Sequence, residues 1–244
     1  MWRFRFLATL LLLWALPASA QFLPLGSGPI QSGGGSNPAV AQDTNVPFQS
    51  SGCTTGCSFT IPATVAGYAL VIPLGTFSNS PSQTYTIADG GDTCGAATGA
   101  NSGNNGTGIG PFIIWYICPN VASGRTSVTI TGSGTQGFAG EIYQAENVAT
   151  SGTIYEGGNG NSNGSSNVIA FSLSATTSFS NDLVLLAGFS TSGGSAISAT
   201  GGTWITGVSG LALTQQGTGT GTYGGNLTVT GGSNSAYAEL ALKP

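Results

Sequence analysis

Four glutamates, Glu141, Glu146, Glu156 and Glu239, are the residues of this 244-residue chain whose chemistry is easiest to imagine. Two carboxyl groups about 5–9.5 Å apart can cleave a glycosidic bond, one as acid and the other as nucleophile or base. No Glu-x-Asp-x-x-Glu run sets two of them on one strand face. Nucleophilic serine or cysteine chemistry of the usual kind requires a histidine base, and the chain has none. A serine–lysine pair would depend on Lys243, next to the last residue. Asp89-Gly-Gly-Asp92, with Asn101, Asn104 and Asn105 downstream, offers the oxygen-rich, acidic loop that suits calcium, although the spacing fits no defined calcium loop and Asp-Gly is also ordinary turn chemistry. No other cofactor is expected.

Aromatic faces are a further chemical resource, because Trp and Tyr rings can lie against pyranose rings. Trp204, Tyr155 and Tyr223 stand near Gly-rich turns and are the ligand-contacting candidates. Trp115 lies inside Phe-Ile-Ile-Trp-Tyr-Ile and is expected in the core.

Cys53, Cys57, Cys94 and Cys118 are an even set with no histidine beside them, which favours disulfides over zinc. Three pairings exist. Cys53–Cys57 closing a small turn and Cys94–Cys118 tying a long Gly/Asn-rich loop to the strand 112–118 are the expected ones. By loop-closure entropy these contribute at most ~2 and ~3.5 kcal/mol.

Residues 1–20 carry Arg3 and Arg5, an apolar run Phe6–Leu16, and Ala18-Ser19-Ala20, the three parts of an export signal in order. The run is shorter than the roughly 20 residues that span a bilayer. Cleavage before Gln21, without membrane insertion afterwards, and a secreted, extracellular location are therefore expected. The mature chain then keeps two cations, Arg125 and Lys243, against eight acidic residues, a net charge of −6. Two cations cannot supply the positive field that nucleic acid or anionic lipid demands, so nucleic acid is excluded as a partner.

Residues 21–50 hold four prolines and a Gly33-Gly34-Gly35 run and read as a flexible leader whose last few residues can add an edge strand. From 51 to 244 a single domain is expected, made of about a dozen short runs bounded by Gly, Asn, Ser or Pro. Ser127-Val-Thr-Ile-Thr131 alternates strictly, with Val128 and Ile130 inward and the threonines outward. No stretch shows a 3.6-residue period with caps. The predicted fold is all-β: a two-sheet antiparallel sandwich, jelly-roll-like.

Two related halves, 57–148 and 167–243, are a further expectation. Val128-Thr-Ile-Thr-Gly-Ser leading to Phe138-Ala-Gly-Glu141 parallels Leu227-Thr-Val-Thr-Gly-Gly leading to Tyr237-Ala-Glu239. The offset from run to aromatic is ten in both, and Gly140 is an extra residue, as in a β-bulge. This alignment makes Glu141 and Glu239 equivalent positions on opposite halves.

The segments NDLVLLAGFS, SVTITGSGTQGFAGEIYQAENV and SAYAELALKP resemble a β-sandwich module of large secreted bacterial proteins, over roughly 55–244. Gln144-Ala145 departs from the Ser-Gly that usually follows Glu-Tyr there. The resemblance implies fold and extracellular placement and carries no catalytic residue to any position here. The resulting expectation is a secreted, non-enzymatic surface, adhesive or carbohydrate-contacting module whose partner is a polysaccharide or a cell-surface molecule. A glycan-cleaving enzyme using paired glutamates and a structural subunit self-associating through strand edges are the rivals.

Overall fold

The computed structural model of the chain describes residues 37–41, 46–76, 84–101, 112–163, 168–172, 182–190, 197–199, 204–206, 212–215, 224–229 and 235–244. All of them belong to the compact unit Gly35–Pro244. The described elements are all strands, in keeping with the predicted class.

Short β-rich runs punctuated by Gly and Asn give seventeen strands among the described residues: β1 (Ala39–Val40), β2 (Val46–Ser50), β3 (Cys57–Thr60), β4 (Ala69–Thr76), β5 (Tyr85–Ala88), β6 (Thr93–Asn101), β7 (Phe112–Cys118), β8 (Ser127–Gly132), β9 (Phe138–Glu146), β10 (Tyr155–Asn163), β11 (Val168–Ser172), β12 (Leu183–Ser190), β13 (Ile197–Ala199), β14 (Trp204–Thr206), β15 (Ala212–Gln215), β16 (Gly224–Val229) and β17 (Ser235–Leu242). They form three antiparallel sheets, where the sequence pattern led to an expectation of two. One runs β1-β9-β4-β7-β6-β5-β8-β3, with β2 also on β9; the second runs β10-β17-β12-β15-β14; the third runs β11-β16-β13. Periodicity identifies strands and their inward residues, but says nothing about where one ladder stops and the next begins.

The segment read as a leader contributes to the first sheet. β1 pairs with Ala145 and Glu146, and β2 pairs with β9 from Phe138 to Ile142. Phe48 anchors it, its ring edge-on to that of Phe138 at 6.0 Å between centroids. Among the described residues pairing therefore starts at Ala39, ahead of residue 51, where the sequence places the start of the domain.

All eight residues of β4 are buried, because both of its faces are covered. Leu70, Ile72 and Leu74 join Ile87, Val128 and Ile130 in one core, over which β3, β8 and β5 curl back. Ala69 and Val71 join Trp115, Leu185, Phe189, Ala238 and Leu240 in a second core, between the nine-stranded and five-stranded sheets. Gly75 is where these two sheets approach most closely among the described glycines. A Cβ built there would lie 2.6 Å from Cδ2 of the buried Phe189 ring. Gly75→Ala is therefore expected to destabilise by roughly 1–3 kcal/mol through overpacking, read as a lower urea midpoint at unchanged m-value.

The two expected disulfides are both present. Cys53–Cys57 closes the crossing from β2 to β3, and Cys94–Cys118 links β6 to β7. Residues from Thr93 onward, expected as the start of a loop, are strand. Their Gly/Ala-rich sequence has no apolar alternation, but β5 and β7 flank them and supply ladder partners.

Candidate functional site

The carboxylates end in four different environments. Glu141 lies on β9 between Gly140 and Ile142, on the same face as Ala139 and Ala145, and so points into the core between the two larger sheets. It is wholly buried and accepts a hydrogen bond from the Tyr143 hydroxyl. Burial, with the Glu141 charge added, raises the Tyr143 phenol. Glu239 is also wholly buried, but its neighbours Ala238 and Leu240 occupy that core, so its side chain points the other way. It shares its face with Ala241, which packs on Val184. Neither Glu239 carboxylate oxygen has a hydrogen-bond partner, and burial pushes the group up to about 8.

The expected equivalence of Glu141 and Glu239 therefore fails in orientation. Gly140 makes no bulge: the β9 register runs unshifted past it on β2, and keeps the same pairing offset on β4. One extra residue in a regular strand moves every later side chain to the opposite face. Glu146 is half-buried and accepts the Tyr68 hydroxyl at 2.7 Å. The Tyr68 phenol is pushed up to about 12, by burial first and then by Glu146. Glu156 is half-buried on β10.

Asp89 organises a turn. Its Oδ1 accepts the N–H groups of Gly91 at 3.1 Å and Asp92 at 2.8 Å, and its own N–H donates to the Asp92 carbonyl at 3.2 Å. Asp89 is buried and Asp92 exposed. The Arg125 guanidinium packs on Gly91, so closely that a Cβ there would meet Nη2 at 2.1 Å. Oδ1 of Asp89 thus serves two donors, while Oδ2 is buried with no hydrogen-bond partner. Among the described residues no three His, Cys, Asp or Glu side chains gather as a metal site.

Two of the three aromatic candidates fall on described strands. Tyr155 begins β10, is half-buried, and packs against the core between the two larger sheets. Trp204 begins β14, opposite Gln215. β10 and β14 are the two ends of the five-stranded order, so these residues do not stand on neighbouring strands. Tyr223 lies outside the described residues. Trp115 is wholly buried, and its Nε1–H donates to the Ala238 carbonyl at 3.0 Å.

One constellation had no signal in the sequence. Ser50, the last residue of β2, places its Oγ 2.9 Å from Cys53 Sγ and 3.6 Å from Cys57 Sγ. Disulfide sulfurs carry no hydrogen, so the hydroxyl donates. A serine three residues before a cysteine is unremarkable in low-complexity sequence, and only the return of the chain across Gly52 (φ 141°) brings the two together.

Two disulfides and no free cysteine among the described residues point to a non-reducing environment. Among the same residues no helix is long and apolar enough to cross a membrane. No family model, curated protein or solved structure matches the chain.

Proposed function

We propose that the chain is an exported, non-enzymatic surface module, built of two related jelly-roll β-sandwiches and contacting a neutral polysaccharide or a cell-surface partner. What carries this reading is the burial of the carboxylates. Glu141 and Glu239 are closed to solvent, on different sheets and turned to opposite faces, where a glycosidase needs two carboxyls in one open groove. Glu146 is engaged by Tyr68.

The architecture is supported by strand order. Counting eight strands from β2, one sheet is ordered first, eighth, third, sixth, fifth, and a second ladder second, seventh, fourth; counting eight from β10 gives the same two orders. Such an order arises when eight antiparallel strands wrap as two Greek keys. The two copies run from about 46 to 146 and from 155 to 242, slightly wider than the halves marked by sequence similarity. The export signal and the disulfides support placement outside the cell, as does the likeness to secreted bacterial modules.

A contact surface of suitable chemistry is available on β3, β5 and β8. Ser58, Thr60 and Thr86 are exposed and Thr129 and Thr131 half-exposed, a row of hydroxyls without charge. Residues 21–244 mixed with insoluble polysaccharides are expected to be depleted from solution without release of reducing ends. Depletion with release would overturn the non-enzymatic reading. If nothing is depleted and the protein instead sediments as concentration-dependent oligomers, strand-edge self-assembly replaces ligand contact; β3, at the open end of the nine-stranded order, is where it would begin.

A further inference from the structure

We propose that Cys53–Cys57 is an exchangeable disulfide, open to attack by small-molecule thiols at Cys57, with Ser50 stabilising the departing Cys53 thiolate. Cys57 is half-exposed at the start of β3, the end strand of its sheet, whereas Cys53 is 3% exposed. The other disulfide offers no comparable entry, since Cys94 is 5% and Cys118 0% exposed. Exchange rates follow access, the choice of sulfur attacked and the stability of the leaving thiolate. All three distinguish Cys57 as the electrophile and Cys53 as the leaving group.

The Ser50 hydroxyl supplies that stabilisation. Its oxygen accepts the Gly52 N–H at 3.3 Å, and its proton remains for sulfur, with Cys53 Sγ nearer than Cys57 Sγ and the Gly52 carbonyl farther, at 3.5 Å. A hydrogen bond to an anion is roughly twice as strong as one to a neutral group, so the contact strengthens as charge builds on Cys53.

The step balances with an external thiol as reductant. An incoming thiolate RS⁻ attacks Cys57 Sγ, the RS–Sγ bond forms, the Cys53–Cys57 bond breaks, and its electron pair remains on Cys53 Sγ, which takes a proton from water. A second thiol attacks the mixed disulfide at the RS sulfur, giving RSSR and the Cys57 thiolate. The ring is the shorter of the two, its cysteines 4 residues apart against 24 for the other pair. Opening it releases the clamp on the crossing from β2 to β3, at the edge of the core to which Cys53 belongs and against which Cys57 packs.

The test uses the folded protein, glutathione as the thiol, iodoacetamide quenching and peptic peptide mapping, since trypsin has almost no sites. Cys53 and Cys57 should be labelled at least tenfold faster than Cys94 and Cys118, with the glutathione adduct on Cys57. Equal labelling of both pairs, or an adduct on Cys53, would overturn the proposal. Ser50→Ala should slow the Cys53–Cys57 reaction several-fold, and Ser50→Thr should restore it, at unchanged thermal midpoint. These labelling ratios in the unsubstituted protein decide the matter even if Ser50→Ala folds poorly.

Discussion

Trp115→Ala is expected to lower unfolding free energy by roughly 3–5 kcal/mol, the range for truncating a wholly buried large aromatic, and the melting temperature by on the order of 10 °C for a chain of this size. The indole sits on β7 in the core between the nine-stranded and five-stranded sheets, beside Val71, Leu185 and Leu240. Its N–H bonds the Ala238 carbonyl on β17, so it joins the two sheets by polar contact as well as by volume. Truncation removes both and leaves the carbonyl without this donor in an apolar layer. Trp115→Phe weights the two effects differently, because it keeps most of the volume while losing the N–H, at about 1–2 kcal/mol for the hydrogen bond. Urea denaturation followed by circular dichroism should rank unsubstituted protein, Phe and Ala in descending stability. A loss under ~1 kcal/mol for Trp115→Ala would mean that the core between these sheets contributes little to holding the unit together.

How far the sequence predicted this structure depended on what each strand is made of. Runs such as Ala69–Thr76, Phe112–Cys118 and Leu183–Ser190 are apolar enough to be buried on both faces, and they are strands as expected. β6 (TCGAATGAN) has only Thr93 and Thr98 as β-branched residues, β10 (YEGGNGNSN) has none, and neither strand alternates apolar with polar. They are extended because neighbouring strands offer ladders, and pairing partners have no local signature. The disulfide pairing was legible because four cysteines allow only three arrangements and one cluster lay within five residues. The orientation of Glu141 was not legible. The alignment of the two halves treated Gly140 as a bulge, whereas the ladder absorbs it in register and so turns Glu141 to the other face. The Ser50–disulfide contact depends on a chain reversal at a glycine, which composition conceals in a sequence with 41 glycines.

Stability should also fall as pH rises from about 4.5 through about 8, and Glu239 is the reason. Its carboxyl lies on β17 with no hydrogen-bond partner for either oxygen, and burial alone pushes it up from 4.5 to about 8. An isolated buried carboxylate has lost its hydration without compensation, so the folded chain holds the proton instead. The sign follows from proton counting. Between pH 4.5 and 8 the folded state binds a proton that the unfolded state has released, so unfolding free energy declines with rising pH, by up to ~1.4 kcal/mol per unit. The contribution is fully present below 4.5, the unfolded value, and is lost once pH passes about 8, a total on the order of 3–5 kcal/mol. Tyr68, pushed up to about 12, does not titrate in this window. Glu239→Gln keeps the shape and removes the proton equilibrium. It should match the unsubstituted protein near pH 5, exceed it in stability near pH 9, and lack this component of the slope. Paired urea titrations across this range decide the point: a difference between the two proteins that does not grow with pH would show that Glu239 ionises in the folded state at its ordinary value, and that its side chain reaches water.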